Sequence, residues 1–532
     1  MLFKSDGPKA RFSHRLAVGM AAGMLASAWQ AFGPLDYVGL ARLLPLAGIN
    51  VAAGLALGAI SWLAIRSGGR AASALAALAI VVASGVLAHA NIRRDIDVLL
   101  YVSDATSRRH LSLYGYERDT TPNLIRLADD DLAVVFEQAI AQGTVTWGGW
   151  PAILASSYPT MIGLGHGAEG LADKVTTLAE ALKPAGYTTG GLVANPHLAR
   201  ALNFGQGFDY YEDSLQWADA FNAPMATGLF ADWHQSAAGK KPRFGLVFVV
   251  DCHPGMYSAT AEEVRRFRPE FDLEIRRWKT MIVPEFSATL ETRREDLTAF
   301  YDASVRKVDG SFAALLAYLR AMGDLDKTLV VFTADHGEQF WEHGGFGHGG
   351  GPGKLYDEVL RIPLVVRFPS PVRFPRIRPA ARKFPHQVGQ IDLMPTILRF
   401  VGAPTDIGAM RGRSLLGYVY GRRKYDADRP LLSEAYSRGS RGRSWRTSGW
   451  KYTATYTVAR GEERLVRERL FDLRSDPGEK RDVARAHAEV ARSYRAALER
   501  EVGSMKPYLV QAPKGALTEE QRRRLKALGY LE

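Results

Sequence analysis

One cysteine, Cys252, stands among 532 residues, so the chain cannot close an intrachain disulfide, and stability outside a reducing compartment has to come from packing and from metal. Internal repeats and low-complexity linkers are missing too. That excludes fibrous and disordered classes, and the 47% apolar content is enough to bury one large core or several smaller ones. There is no basic excess where a nucleic acid would need it. The net charge is +12, yet residues 96–420 carry 33 Lys and Arg against 37 acids, while residues 1–95 carry 9 against 3 and residues 421–532 carry 26 against 16. This distribution argues against a nucleic-acid partner. The basic flanks suit anionic lipid headgroups, an anionic substrate or simply solvent.

Long uncharged runs are confined to the first 92 residues, where "LAVGMAAGMLASAWQAF", "INVAAGLALGAISWLAI" and "AASALAALAIVVASGVLAHA" follow one another. Each is close to the ~20 residues that cross a bilayer. Three in succession predict N-terminal transmembrane helices; a signal peptide followed by core helices is the other reading. Lys4, Lys9, Arg11 and Arg15 precede the first run, and Arg66 and Arg70 lie between the second and third. With these on the cytoplasmic side, an odd number of spans delivers everything after about Arg94 to the periplasm or exterior. The expectation is a multi-pass protein of the cell (inner) membrane.

From Asp97 onward, apolar runs of strand length alternate with helical periodicity: "DVLLYV", "AVVFEQAI", "TTGGLVA", "FGLVFVV" and "TLVVFTA" as strands, "TPNLIRLADD", "PAILASS", "VTTLAEALKPAG" and "DASVRKVDGSFAALLAYLRAMG" as helices. This predicts an α/β sandwich around a mostly parallel sheet, with ligand groups gathered beyond the carboxyl ends of its strands. Residues 256–300 read as a mostly helical insertion, either a solvated face or a substrate lid. After about residue 430, "PLLSEAYS", "WRTSGWKYTATYT" and "ERLFDLRSDP" predict short antiparallel strands, followed by a charged helix and the amphipathic ending "LTEEQRRRLKALGYLE". The division expected is a membrane region 1–95, a catalytic domain 96–420 and a C-terminal subdomain 421–532.

Three predicted strands end in polar groups: Asp104, then Asp251 and His253, then Asp335 and His336. Carboxylates converging on one sheet edge repel one another, and a divalent cation compensates them. Asp104, Asp335 and His336 are therefore candidate ligands. On the Gly-rich loop that follows, His348 is a further candidate and His343 an alternative. In "AQGTVTWGGWPAILASSYP", Thr144 and Thr146 precede a helix start. A Thr hydroxyl there is either a helix cap or a nucleophile whose pKa a divalent ion lowers, while helix N-terminal amides favour an anionic group.

The segments "DVLLYVSDATSRRHLSLYGYERDTTPNLIRLA", "VVDCHPGMY", "YDASVRKVDG", "TLVVFTADHGEQFWEHG", "GKLYDEVLRIPLVVRFP", "QIDLMPTILRFVGAP" and "RLFDLRSDPGEKRDVA" resemble, in this order, the sulfatase-like branch of the alkaline phosphatase superfamily. The resemblance runs from about residue 96 to the C-terminus. It implies an α/β/α sandwich with a small C-terminal antiparallel β subdomain, and a metal-bound nucleophile that attacks a phosphate or sulfate ester. Asp104 matches the first acidic ligand, Asp335 and His336 the "DH" pair, and His348 the histidine that serves a second metal or the substrate. His253 matches a substrate-side histidine, and Lys354 the lysine that meets the ester oxygens. Trp147 and Trp150 would flank the pocket mouth or pack the helix.

The departure is at the nucleophile. Sulfatases carry Cys or Ser in C/S-x-P-S-R, oxidised to formylglycine, whereas here the stretch is Thr146-Trp147-Gly148-Gly149-Trp150. Oxidation of Thr gives a ketone and not an aldehyde. Ser103 also stands where a second acid usually precedes Asp104, which shifts the expected ion toward zinc or manganese, with calcium an option. The resemblance to Thr-nucleophile phosphoethanolamine and phosphoglycerol transferases then implies cleavage or transfer of a phosphoester through Thr146, metal-bound and acting on an anionic ester such as a lipid headgroup or envelope glycan. The alternatives are a sulfatase working without formylglycine and an inactive relative that binds anionic ligands.

Overall fold

A computed structural model describes residues 96–505 apart from 164–169, 214–220, 241, 272–290, 349–350, 352, 371–378, 409 and 438, together with 518, 519 and 523. The three N-terminal apolar runs, residues 272–290 of the insertion and most of the amphipathic ending lie outside the described residues. Among the described residues no helix is long and apolar enough to cross a membrane. The described residues, Ser370 apart, belong to one compact unit.

Its main sheet has nine strands: β1 (Asp97–Ser103), β2 (Ala133–Ile140), β3 (Thr188–Val193), β4 (Tyr210–Asp213), β5 (Arg243–Val249), β6 (Thr328–Thr333), β7 (Arg361–Ile362), β8 (Leu364–Arg367) and β9 (Lys383–Gly389). The order is β4-β3-β5-β1-β6-β8-β2-β7, with β9 beside β2. The five strands β4, β3, β5, β1 and β6 are parallel, whereas β8 runs antiparallel between β6 and β2. All seven residues of β1 are buried, as expected for a central strand covered on both faces. One face carries Leu99, Tyr101, Val247, Val249, Val330 and Phe332 against two helices, Ala223–Ser236 and Arg294–Ala321. The alternate residues Leu329 and Val331 face Leu393, Ile397 and Phe400 of the helix Leu393–Val401. Period-two alternation on one strand thus builds the two layers of the sandwich.

Register fixes the site. Ser103 pairs with Val249, Val102 with Thr333, and Val193 with Phe248, so β1, β3, β5 and β6 end level with one another. The residues that follow emerge along one edge. A second sheet, antiparallel β10 (Leu431–Ser437), β11 (Ser440–Arg446), β12 (Trp450–Ala459) and β13 (Glu462–Asp472), packs Leu432, Tyr452 and Leu470 against Ala491 and Leu498 of the helix Ala488–Gly503. It is joined to the first sheet where Glu434 N donates to Gln142 O at 3.0 Å. Two expectations need correction. The helix read as "PAILASS" begins five residues earlier, at Thr146, and the long helix begins at Arg294, ahead of its readable repeat.

Candidate active site

Asp104 follows β1, Asn195 follows β3, and Asp335 and His336 follow β6. Ala105, whose backbone is left-handed at φ 52°, donates its N–H to Asp335 Oδ1 at 3.2 Å; the N–H of His336 also donates to that oxygen, at 2.8 Å. His336 donates from Nδ1 to the Gly337 carbonyl at 2.9 Å. A carbonyl only accepts, so Nδ1 holds a proton, which leaves Nε2 as the nitrogen that could bind an ion.

What remains is three buried atoms without hydrogen-bond partners: Asp104 Oδ1, Asp335 Oδ2 and His336 Nε2. His336 Nε2 is 3.5 Å from each of the two oxygens, and the ligand atoms lie within 4.8 Å of one another. Ligands held about 2.0–2.2 Å from one ion stand about 3.3–3.6 Å apart in a tetrahedral shell. The residues therefore fit a divalent cation. Without it, burial and then the Asp335 charge push the Asp104 carboxyl well above the usual carboxylate range.

The helix Thr146–Ala155 delivers the hydroxyl. Thr146 is its first residue, and its Oγ1 donates to Asp104 Oδ2 at 3.4 Å. Asn195 Nδ2 donates to the same carboxylate oxygen at 2.6 Å and to Thr146 Oγ1 at 3.0 Å. This approach depends on glycines. A Cβ on Gly149 would stand 2.3 Å from the Asp335 carbonyl oxygen, and one on Gly148 would stand 2.6 Å from Gly143 Cα. Only hydrogen at these positions lets the helix press its first turn against Asp335 after β6 and against Gly143 after β2. Gln390 braces the other side by donating from Nε2 to the carbonyls of Ala334 and Asp335, at 2.6 and 2.7 Å.

Imidazoles form the remaining wall. The His348 ring centroid is 4.2 Å from that of His336 and 4.8 Å from that of His253. His253 Nδ1 donates to the Pro254 carbonyl at 2.7 Å, and burial lowers its pKa to about 3. Burial likewise lowers His197 to about 4, and burial with the neighbouring His336 and His253 holds His348 well below the usual imidazole range. These rings are neutral at pH 7. His348 Nδ1 meets Glu338 Oε2 at 2.8 Å, and Glu338 is fully buried.

The sequence-predicted residues divide accordingly. Asp104, Asp335 and His336 come together as one candidate ligand group, Thr146 lies beside it, and His253 and His348 stand around it. His348 is not part of the three-residue group among the described residues, and its Nδ1 meets Glu338. Lys354 donates to the loop carbonyls of Phe346 and Gly347 at 3.0 and 2.7 Å, and its charge acts on Glu338 and His348. Trp150 is 1% exposed and packs edge-on against Phe204, which removes it from any pocket mouth; a core aromatic is what the helix needs there. Trp147 packs against His197 with its indole N–H buried and unpartnered. His343 lies away from the ligands, between Glu358 and the Glu479 carbonyl. Asp251 caps a helix instead: its carboxylate accepts from Ala223 N at 2.8 Å and from the Ser258 hydroxyl.

Sequence reasoning missed Asn195, His197 and Glu338. The rule that found Asp104 would have found Asn195 as well, since "LVAN" ends a parallel strand at the same edge. A second group, Asp97, His234 and Asp324, lies at the opposite end of β1. Arg243 Nη2 is already 2.7 Å from Asp97 and 2.5 Å from Asp324, and Lys327 pairs with Asp324. Two cations neutralise those two acids.

The family model for Sulfatase matches residues 96–403, more than half of the chain. Arylsulfatase K of Rattus norvegicus is 28% identical over 211 residues, covering 38% of this chain and 34% of that protein. N-acetylglucosamine-6-O-sulfatase of Bacteroides thetaiotaomicron is 34% identical over 130 residues, 24% of this chain and 21% of that one. The match thus spans about a third or less of these relatives' length. In fold, the phosphonate monoester hydrolase of Agrobacterium radiobacter superposes with a TM-score of 0.58 at 18% identity, over 77% of this chain and 95% of that one. On the match to residues 96–403, the chain belongs to the sulfatase family.

Proposed function

We propose that the protein is a metal-dependent hydrolase of sulfate esters on glycans, working without formylglycine, with the Thr146 hydroxyl as nucleophile. One observation carries this: Thr146 Oγ1 is held by Asn195 and Asp104 next to three converging, unpartnered ligand atoms. The substrate class is supported by relatives named as sulfatases, one of them for N-acetylglucosamine. Thr146 Oγ1 forms the new S–O bond as the bond to the sugar oxygen breaks; the alcohol leaves with a proton, and water then releases sulfate from Thr146. Asn195 fixes the hydroxyl toward the reacting centre, and the His253 and His348 rings line the site as neutral hydrogen-bonding groups. Asp104, Asp335 and His336 would hold a divalent cation, zinc or manganese by donor type and calcium as a third candidate, which would supply Lewis acidity.

A second reading has its own observation. Thr146 cannot yield the aldehyde that sulfate release uses in sulfatases carrying formylglycine, whereas an unmodified hydroxyl suffices for phosphoryl transfer to water or to another alcohol. The fold is shared with a phosphonate monoester hydrolase. In both readings we place the catalytic unit outside the cytoplasm, held at the membrane by the N-terminal runs, on the strength of their length and flanking basic residues. The test is turnover of an aryl sulfate, an aryl phosphate and an aryl phosphodiester by the full chain with zinc, manganese or calcium. Sulfate turnover supports the first reading and turnover of the phosphorus esters alone the second. No turnover with any ion sinks both.

A further inference from the structure

The Gly-rich loop that carries Glu338, His343 and His348 is tied to the far end of the chain. His343 stacks on Tyr356 with centroids 3.6 Å apart and planes at 6°. One ring nitrogen, Nδ1, meets Glu358 Oε1 at 2.5 Å; the other, Nε2, donates to the Glu479 carbonyl at 3.1 Å. Glu479 comes after β13, more than a hundred residues later, and is 2% exposed. Its backbone is left-handed, φ 55°, a conformation a side chain with a Cβ rarely takes. Strain of this kind persists only where surrounding contacts over-determine it.

Those contacts are present. Glu479 Oε2 accepts from Asp357 N at 2.6 Å, and Oε1 pairs with Lys451 Nζ at 2.7 Å. Lys451, fully buried on β12, also reaches Asp357 Oδ1 at 3.0 Å, and Arg446 on β11 holds the other oxygen of Asp357 at 2.9 Å. Lys480 then donates to the Glu342 carbonyl in the loop itself. From Asp357 the chain continues directly into Glu358 and Val359, whose backbone lies against Gly337: a Cβ there would stand 2.4 Å from Glu358 O, and Gly337 N donates to Val359 O at 2.7 Å. Gly337 is the residue after the ligand His336.

We infer that Glu479, Lys480 and Lys451 are positioning residues of the active site: the C-terminal sheet sets where the 337–348 loop sits, and through it the placement of His336, Glu338 and His348. None of the three touches the ligand group. The inference rests on the proposed reading of that group as catalytic, but the placement of the loop is measurable without it.

The experiment uses the full chain and two variants. Lys480→Ala alters an exposed side chain and leaves the core intact; His343→Phe keeps the stack on Tyr356 and removes both polar contacts. Hydrogen exchange of peptides covering 337–348 is read beside thermal stability and beside kcat and KM on whichever ester the parent turns over. Expected are faster exchange in this loop in both variants, a melting temperature little changed in Lys480→Ala, and, in His343→Phe, a fall of about 10–100-fold in kcat with KM nearly constant, as misplacement of catalytic groups produces. Unchanged exchange in both variants overturns the inference whether or not the parent is active. Faster exchange with kcat unchanged in an active parent overturns the catalytic part. A parent inactive on every ester sinks the proposed function alone, and exchange still decides the placement.

Discussion

Gly149→Ala tests how the site is assembled without touching a reacting group. The added Cβ would stand 2.3 Å from Asp335 O and 2.9 Å from Asp335 Cβ, where ordinary contact begins at 3.4 Å. Either the helix start or the end of β6 has to move by about 1 Å, because a close-packed interior has no slack to absorb the methyl. The carbonyl cannot retreat cheaply, since Gln390 Nε2 holds it at 2.7 Å. Overpacking of this kind costs about 1–3 kcal/mol of stability. The same displacement separates Thr146 from Asp104 and Asp335, and misplacement on that scale lowers kcat/KM by about 100-fold. The assay is ester turnover beside a thermal melt, with Gly310→Ala as control. Gly310 lies in the long helix with nothing within 4 Å of its added Cβ, so that variant gains about 0.5–1 kcal/mol and keeps its activity. Gly149→Ala with kcat/KM within about twofold of the parent refutes the close-approach reasoning.

Asn195→Ala removes the donor shared by Asp104 and Thr146; hydrogen bonds to charged groups contribute about 1.5–3 kcal/mol, so kcat/KM should drop by about 10–150-fold, and steady-state kinetics showing no change would remove Asn195 from the mechanism. Divalent ion at about 100 times its Kd should stabilise the parent by about 2.7 kcal/mol in a thermal shift, and Asp335→Asn should abolish that gain; an equal gain in the variant would place the ion elsewhere. Asp251 gives a pH dependence. Burial raises its pKa to about 6 in the folded state, against about 3.9 unfolded, so the folded state binds the proton more tightly. Its contribution is full below about pH 4 and is lost as pH rises through 6, a change of up to about 3 kcal/mol. Asp251→Asn should therefore gain on the parent between pH 4 and 6 in chemical denaturation, and a difference independent of pH would contradict the burial argument.

How far the sequence could be read depends on which forces leave a local trace. Buried parallel strands do: the apolar runs at β1, β5 and β6 are continuous because both faces are covered, and the polar residues that end β1 and β6 form the candidate ligand group. The antiparallel β8 wedged between β6 and β2 has the same apolar run, and orientation leaves no mark in composition. β11 reads "SRGRSWR" and was hidden by arginines that pair across the sheet, such as Arg443 with Glu434 and Glu463. The helix at Thr146 was hidden by its glycines, poor helix formers kept for close approach. Trp150 stays open between pocket mouth and core in the sequence, because a large aromatic beside a candidate nucleophile reads the same whether it faces a ligand or the core; its burial against Phe204 decides for the core. Glu338 and Glu479 act through partners 10 and 136 residues away, and no local pattern announces such pairs.

The central claim is that the Thr146 hydroxyl attacks the ester beside the Asp104, Asp335 and His336 group. Its most direct test is kcat/KM of the full-length Thr146→Ala variant on the parent's best ester, with divalent-ion content measured in the same preparations. The account predicts a loss of about 1,000-fold or more with the ion retained. Turnover within about tenfold of the parent, with the ion still bound, would contradict it and assign the attack to another group.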